Sequence, residues 1–186
     1  MKVIESERLI LRTWEESDAQ AYWQINQDSK VTEYLLGPLS MEQVHTFIKS
    51  CQQCFEENGF CLFAAELKET HELIGFIGLW VPQFEADFMP TVEIGWRLGS
   101  QYWGKGYAIE GAKAVMDFGF NQCGLKEIVS FTVPANQRSI RVMEKLGMQH
   151  DAKDVFAHPK VPADHPLLMH VLYRMRATPD SYMIKG

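Results

Sequence analysis

Two glycines, Gly104 and Gly106, stand in the hexapeptide Gln101-Tyr102-Trp103-Gly104-Lys105-Gly106, between a strand-like run and a helix-like one. No other segment restricts the fold as much. Upstream, Val92, Ile94, Trp96 and Leu98 alternate with Thr91, Glu93, Gly95 and Arg97, which predicts a half-buried strand with an apolar and a more polar face. Downstream, Ala108, Ile109, Gly111, Ala112, Val115, Met116 and Phe118 recur at helical spacing from Tyr107 onward, and the small residues let such a helix lie close to a sheet. Strand, glycine turn and helix are then continuous. The first turn of a helix carries unpaired N–H groups and a positive dipole end, so a glycine loop leading into it makes a cradle for an anion. The plainer reading is an ordinary turn between two elements.

Neither standard nucleotide motif fits these residues. A P-loop requires Gly-x-x-x-x-Gly-Lys-Ser/Thr, yet Lys105 is followed by Gly106 and no hydroxyl is available for magnesium. A dinucleotide-binding turn would need its third glycine where Ile109 stands. It would also need an acidic residue about twenty positions on, where residues 128–133 are apolar or hydroxylated.

The rest of the chain reads as an alternation of short elements. Residues 8–14 form a first strand, with Leu9 and Leu11 on one face and Ile10 and Arg12 on the other, and Ser17 or Asp18 caps a helix to about Asn26. Ser40 with Gln43 three residues on has the capping-box pattern, opening a helix that Asn58-Gly59 ends. Residues 60–67 and 73–81 read as a hairpin across a polar turn at 68–72. After the glycine loop and its helix come a strand at 128–133, a helix from about Gln137 to Leu146 stopped by Gly147, and strands near 148–156 and 169–176. A hairpin followed by alternating strands and helices predicts an α+β fold with helices flanking a mixed sheet. The 186 residues fit one domain, with a core spanning about residues 8–177.

Charge and cysteine usage narrow the function. A net charge of −6 argues against general nucleic-acid binding and suits an acidic cleft that receives amines. No apolar run approaches the roughly twenty residues needed to span a bilayer, and nothing resembles a signal peptide, so a cytoplasmic location and no membrane partner are expected. Cys51 and Cys54 lack a second ligand pair at zinc spacing and read as ordinary thiols.

Five segments in order resemble the GNAT family of acetyl-CoA-dependent N-acetyltransferases. They are Arg8-Leu9-Ile10-Leu11-Arg12, Glu93-Ile94-Gly95-Trp96, the loop pattern Gln/Arg-x-x-Gly-x-Gly/Ala met by Gln101, Gly104 and Gly106, then Asn136-x-x-Ser139, and Glu144-Lys145-Leu146-Gly147-Met148. Together they are most similar to the branch that includes the ribosomal-protein N-terminal acetyltransferases. The resemblance implies a mostly antiparallel seven-stranded sheet, splayed between its fourth and fifth strands. A pantetheine arm would enter the splay along the main chain of Trp96, Arg97 and Leu98, with the pyrophosphate on the N–H groups of Gly104, Lys105, Gly106, Tyr107 and Ala108. Lys105 is a candidate for added charge at the phosphates and Trp103 for covering the cofactor; a solvated lysine and a packed turn are the alternatives. Homodimers are common in this family, and no metal is implied.

Acetyl transfer from a thioester to an amine requires removal of a proton from the amine, a donor to the developing oxyanion, and a proton or hydrogen bond for the leaving thiolate. An ammonium with a pKa of about 10 is mostly charged at neutral pH, so a nearby base helps. Glu93 is the first candidate, being on the polar face of the strand expected to hold the thioester; a solvated or salt-bridged glutamate is the alternative. Ser139 is the candidate donor to the thiolate, the role that the resemblance implies for a serine at this motif position. Asn136 resembles the family's pantetheine-contacting asparagine and is also a natural N-cap.

The last third of the chain is the candidate acceptor region. His158, His165 and His170 fall around a proline-rich loop at residues 160–166, with irregular spacing that does not favour metal. His158 or His170 is an alternative base, and Tyr173 is an alternative thiolate donor, although its alternation with Val171 and Met175 suggests core packing. Near the front, Trp14, Trp23 and Tyr34 are candidates for the acceptor border, with core packing as the other reading. Three classes follow: an N-acetyltransferase acting on a protein N-terminus or small amine, a non-catalytic acyl-CoA sensor on the same scaffold, and a nucleotide-binding enzyme disfavoured by the missing motifs.

Overall fold

The computed structural model describes residues 1–177. Its strands are β1 (Lys2–Glu5), β2 (Leu9–Arg12), β3 (Leu62–Leu67), β4 (Leu73–Trp80), β5 (Glu93–Leu98), β6 (Glu127–Thr132), β7 (Gln149–Ala157) and β8 (Met169–Arg176). Its helices are α1 (Ala19–Ile25), α2 (Ser29–Thr32), α3 (Met41–Asn58), α4 (Tyr107–Asn121) and α5 (Gln137–Lys145). The strands form one sheet in the order β1-β2-β3-β4-β5-β6-β8-β7, and every neighbouring pair is antiparallel except β5 with β6. The sheet therefore has eight strands where seven were expected. The addition is β1, a four-residue edge strand with only Ile4 buried, too short to give a periodic signal.

Helix ends follow their sequence signals. Ser40 and Gln43 bond reciprocally at the start of α3, and Gly59 closes it at φ 74°. Asp18 does something else. Its carboxylate receives two 2.8 Å hydrogen bonds from Arg12 and a third from the Glu15 N–H, so it is a buried ion-pair partner and not the cap of α1. Arg12 also donates to Glu66 at 2.7 Å, and these carboxylates push its already high pKa up.

The sheet separates two packed layers. Phe76 meets Tyr22 of α1 and Phe47 of α3, whereas its neighbour Ile77 faces α4. A Cβ on Gly111 of α4 would lie 2.4 Å from Ile77 Cδ1 and 3.2 Å from Leu9 Cδ1, so a larger residue would have to displace the Ile77 side chain for the helix to lie this close to the sheet. Because Arg97 is opposite Phe76, and Trp96 opposite Ile77, successive residues of β5 point alternately into the two layers.

The sheet opens between β5 and β6. Their register contains the single pair Glu93 and Val129, steadied by a 2.9 Å bond from the Val129 N–H to the Val92 carbonyl. On its other side β5 is paired with β4 from Glu93 to Leu98. Beyond Glu93, the β6-facing main chain of β5 has no strand partner among the described residues.

Candidate active site

A cleft of about 520 Å³ occupies this opening. Of the residues singled out from sequence, Glu93, Trp96, Arg97, Leu98, Trp103, Gly104, Gly106, Tyr107, Ala108, Asn136 and Ser139 line it. Gln101 and Lys105 are exposed and do not. The Gln101 side chain lies back against Gly99, and Lys105 Nζ sits 5.8 Å from the centre of the Tyr102 ring.

The glycine loop has the geometry of an anion cradle. Gly104 and Gly106 take φ values of 75° and 86°, the left-handed region that side chains disfavour. α4 starts at Tyr107 with no side-chain cap, and the main-chain N–H groups of residues 104–109 have no acceptor among the described residues. A Cβ built on Gly104 meets nothing within 4 Å, so the space above it is open to a ligand. Arg8 holds the loop from behind. It donates to the Lys105 carbonyl at 3.0 Å and to Glu110 at 2.6 Å, and its guanidinium lies 4.5 Å from the Tyr107 ring centre. Glu110 also accepts from the Ser6 hydroxyl and the Arg8 N–H, both at 2.7 Å. Burial would raise the Glu110 pKa, but these hydrogen bonds and the Arg8 charge outweigh it and leave the pKa lowered.

Along β5, Trp103 donates its indole N–H to the Leu98 carbonyl at 2.8 Å, tying the loop to the strand end. Arg138 stacks 4.5 Å over Trp103 and pairs with Glu33 at 2.6 Å, bridging α5 to the segment after α2. Asn136 caps α5 by accepting from the Ser139 N–H at 3.3 Å. Its amide nitrogen donates to Ser139 Oγ at 3.1 Å and to Thr132 Oγ1 at 3.0 Å. Ser139 Oγ thus receives a hydrogen bond, and its own proton remains available to a group in the cleft.

Glu93 stands at the fork. It is half-buried, it lines the cleft, and neither an ion pair nor a hydrogen bond reaches its carboxyl group among the described residues. Desolvation pushes its pKa up to about 8. It is therefore neither a salt-bridged nor a freely solvated surface glutamate.

On the same face as Glu93, Phe131 and His170 are part of an aromatic wall with Phe156, His158, Phe84 and Phe88. His170 lines the cleft; His158 does not. His170 Nδ1 donates to the Leu168 carbonyl at 3.2 Å, leaving Nε2 as an acceptor, while His158 Nδ1 accepts from the Lys160 N–H at 3.2 Å. Burial lowers both pKa values, that of His158 to about 4. Tyr173 is buried, stacked 4.9 Å from His150, and absent from the cleft wall, which removes it as a thiolate donor. Of the front aromatics only Tyr34 lines the cleft; Trp14 is core, its indole donating to the Leu62 carbonyl at 2.6 Å, and Trp23 packs against that core.

The cleft is not acidic. Among the described residues, five cationic side chains line it (Lys30, Arg97, Arg138, Arg141 and Lys145) against one carboxylate, Glu93. The net negative charge of the chain lies elsewhere on its surface. Arg138, Arg141 and Lys145 recur at intervals of three and four on α5, a one-face pattern legible in the sequence but overlooked there.

Comparisons with known proteins agree with this geometry. The family model described as an acetyltransferase (GNAT) domain matches residues 8–149. The "uncharacterized N-acetyltransferase YnaD" of Bacillus subtilis (strain 168) is 33% identical over 149 residues, covering 80% of this chain and 83% of its own length. A GNAT-family acetyltransferase from Bacillus anthracis superposes with a TM-score of 0.76 at 29% identity, covering 93% of this chain and 97% of that one. Mycobacterium smegmatis RimJ, solved in complex with CoA-disulfide, shares the fold at a TM-score of 0.73 and 18% identity, over 91% of this chain and 82% of that one. With the family model spanning well over half its length, the chain belongs to the GNAT acetyltransferase family.

Proposed function

We propose that this chain, acting as one domain, transfers the acetyl group of acetyl-CoA directly to a primary amine bound with it in a ternary complex. One observation carries the reading: the open edge of β5 leads, within a single cleft, to N–H groups of residues 104–109 that have no acceptor among the described residues. A pantetheine arm can add to a strand edge, and a pyrophosphate suits a helix N-terminus. RimJ, which shares the fold, is named as a CoA-disulfide complex, which supports the same cofactor class here.

In this reading the main chain of Trp96, Arg97 and Leu98 holds the pantetheine and the main chain of residues 104–108 holds the pyrophosphate. Trp103 and Tyr107 form walls, Asn136 steadies the arm, and Gln101 supports the loop from outside the cleft. Bound acetyl-CoA supplies an acetyl group already activated as a thioester. Glu93 takes the proton from the attacking ammonium. A pKa of about 8 brings its basicity closer to that of an amine, at the cost of a smaller ionised fraction at neutral pH. Ser139 donates its hydroxyl proton, as a hydrogen bond, to the departing sulfur, held in orientation by Asn136. We place the chain in the cytoplasm, a reading supported by four cysteines that are all free thiols.

The test is release of free thiol from acetyl-CoA in the presence of a panel of peptide, amino-acid, polyamine and aminoglycoside amines, with product mass read in parallel. Amine-dependent thiol release matched by one added acetyl group supports the proposal. Tight coenzyme A binding with no amine-dependent release would instead indicate a sensor.

A further inference from the structure

Arg97 enters the cleft on the same face of β5 as Glu93, opposite Phe76 in the neighbouring strand. Among the described residues its guanidinium is held by neutral partners. Nη1 donates to Asn26 Oδ1 at 2.7 Å and to Tyr22 Oη at 3.3 Å, and the Phe76 ring centre lies 5.6 Å from Cζ. Both partners are fully buried, and no carboxylate pairs with this half-buried cation among the described residues. A partly desolvated charge without a counter-ion is costly, and chains rarely retain one without use. All the hydrogen bonds described for Arg97 leave from Nη1. The edge formed by Nε–H and Nη2–H has no acceptor among the described residues, and that fork matches the two oxygens of a carboxylate.

The surrounding charges favour the same ligand. Arg138, Arg141 and Lys145 line the cleft from α5, and Arg138 lies over Trp103 beside the glycine loop, where a cofactor's phosphates would offset its charge. On the Glu93 face the cleft keeps Arg97, while Glu93 is mostly neutral at pH 7. A polycationic amine would meet repulsion here without an acid to offset it. An amine that carries its own anion would not.

We propose that Arg97 is a specificity residue that binds a carboxylate on the acceptor, several bonds from the nitrogen that is acetylated. The spacing follows from the strand. Glu93 and Arg97 are four residues apart on one face of β5, about 13 Å between their main-chain positions at the rise of a β-strand. A short peptide with a free C-terminus, or an N-terminus followed by an acidic side chain, spans such a distance better than a free α-amino acid.

This inference rests on the acetyltransferase reading for its acceptor, and its test separates the two. Di- and tripeptides are compared with their C-terminal amides, and peptides with Asp or Glu after the N-terminal residue with their Asn or Gln counterparts, both in turnover and by calorimetric binding to the protein loaded with coenzyme A, at low ionic strength. The wild-type chain is expected to favour the carboxylates by at least tenfold in kcat/KM and in Kd. Arg97→Gln should bring that ratio to near one. Arg97→Lys, which keeps the charge and loses the fork, should leave a ratio of two to five. Carboxylate-selective binding that depends on Arg97 without turnover would keep this proposal and sink the acetyltransferase reading. An acid-to-amide ratio near one in the wild type, a preference that survives Arg97→Gln, or no binding of any peptide would overturn the proposal.

Discussion

Glu93 and Val129 form the one registered residue pair between β5 and β6 among the described residues, and the Val129 N–H bonds to the carbonyl just before Glu93 at 2.9 Å. The sheet is zipped up to this pair and open beyond it. A titratable carboxyl group thus stands at the fork, half-buried and without an ionic partner among the described residues.

If Glu93 accepts the amine proton, the reaction needs it ionised. The rate at saturating substrates should rise with pH through a limb near 8. Glu93→Gln should lose that limb and lower kcat by about 10²–10⁴ while leaving coenzyme A affinity within about threefold. Full activity of the variant at neutral pH, in a pH-rate series, removes Glu93 as base.

The same shift has a consequence for stability. The folded pKa lies above the unfolded value of 4.5, so the native state binds the extra proton between the two. Stability from this group is present below about pH 4.5 and is lost as pH rises through about 8. Glu93→Gln should therefore match the wild type at pH 5 and exceed it at pH 9 by about 2–4 kcal/mol, the shift being discounted for the open side of the cleft. Denaturant unfolding at the two pH values checks this.

Gly104 meets nothing when a Cβ is added, yet its φ of 75° disfavours any side chain. Gly104→Val should cost about 1–3 kcal/mol of stability through strain and weaken acetyl-CoA binding at least tenfold by filling the space over the loop. Calorimetric titration reads the affinity. Unchanged affinity would sink the loop assignment.

Ser139 should affect chemistry more than binding. Ser139→Ala removes a hydroxyl already oriented by Asn136 and should lower kcat by about 10–10² with little change in coenzyme A affinity. Asn136→Ala should do more damage, because it also removes the cap of α5, at about 1 kcal/mol of stability. Steady-state kinetics with thermal unfolding of both variants separates the two effects.

Local signals were the legible part of the chain. The Ser40–Gln43 box, the Gly59 stop, the alternation of β5 and the glycine loop all depend on residues close in sequence, and each lies where it was expected. What escaped depends on distant partners. Asp18 reads as a cap until Arg12 claims both of its oxygens, and Tyr34 and the two tryptophans are alike until packing sorts them. Net charge misled for the same reason: a sum of −6 does not say which side chains the fold gathers around one cleft. The desolvation of Glu93 likewise belongs to the packed fork and not to its neighbours in sequence.

A crystal structure of the chain with coenzyme A tests the central claim most directly. The account predicts the pyrophosphate on the N–H groups of residues 104–108, the pantetheine paired along the open edge of β5, and the sulfur within hydrogen-bond reach of Ser139 Oγ on the Glu93 side. Coenzyme A bound away from the glycine loop, or a sulfur placed outside the fork, would contradict it.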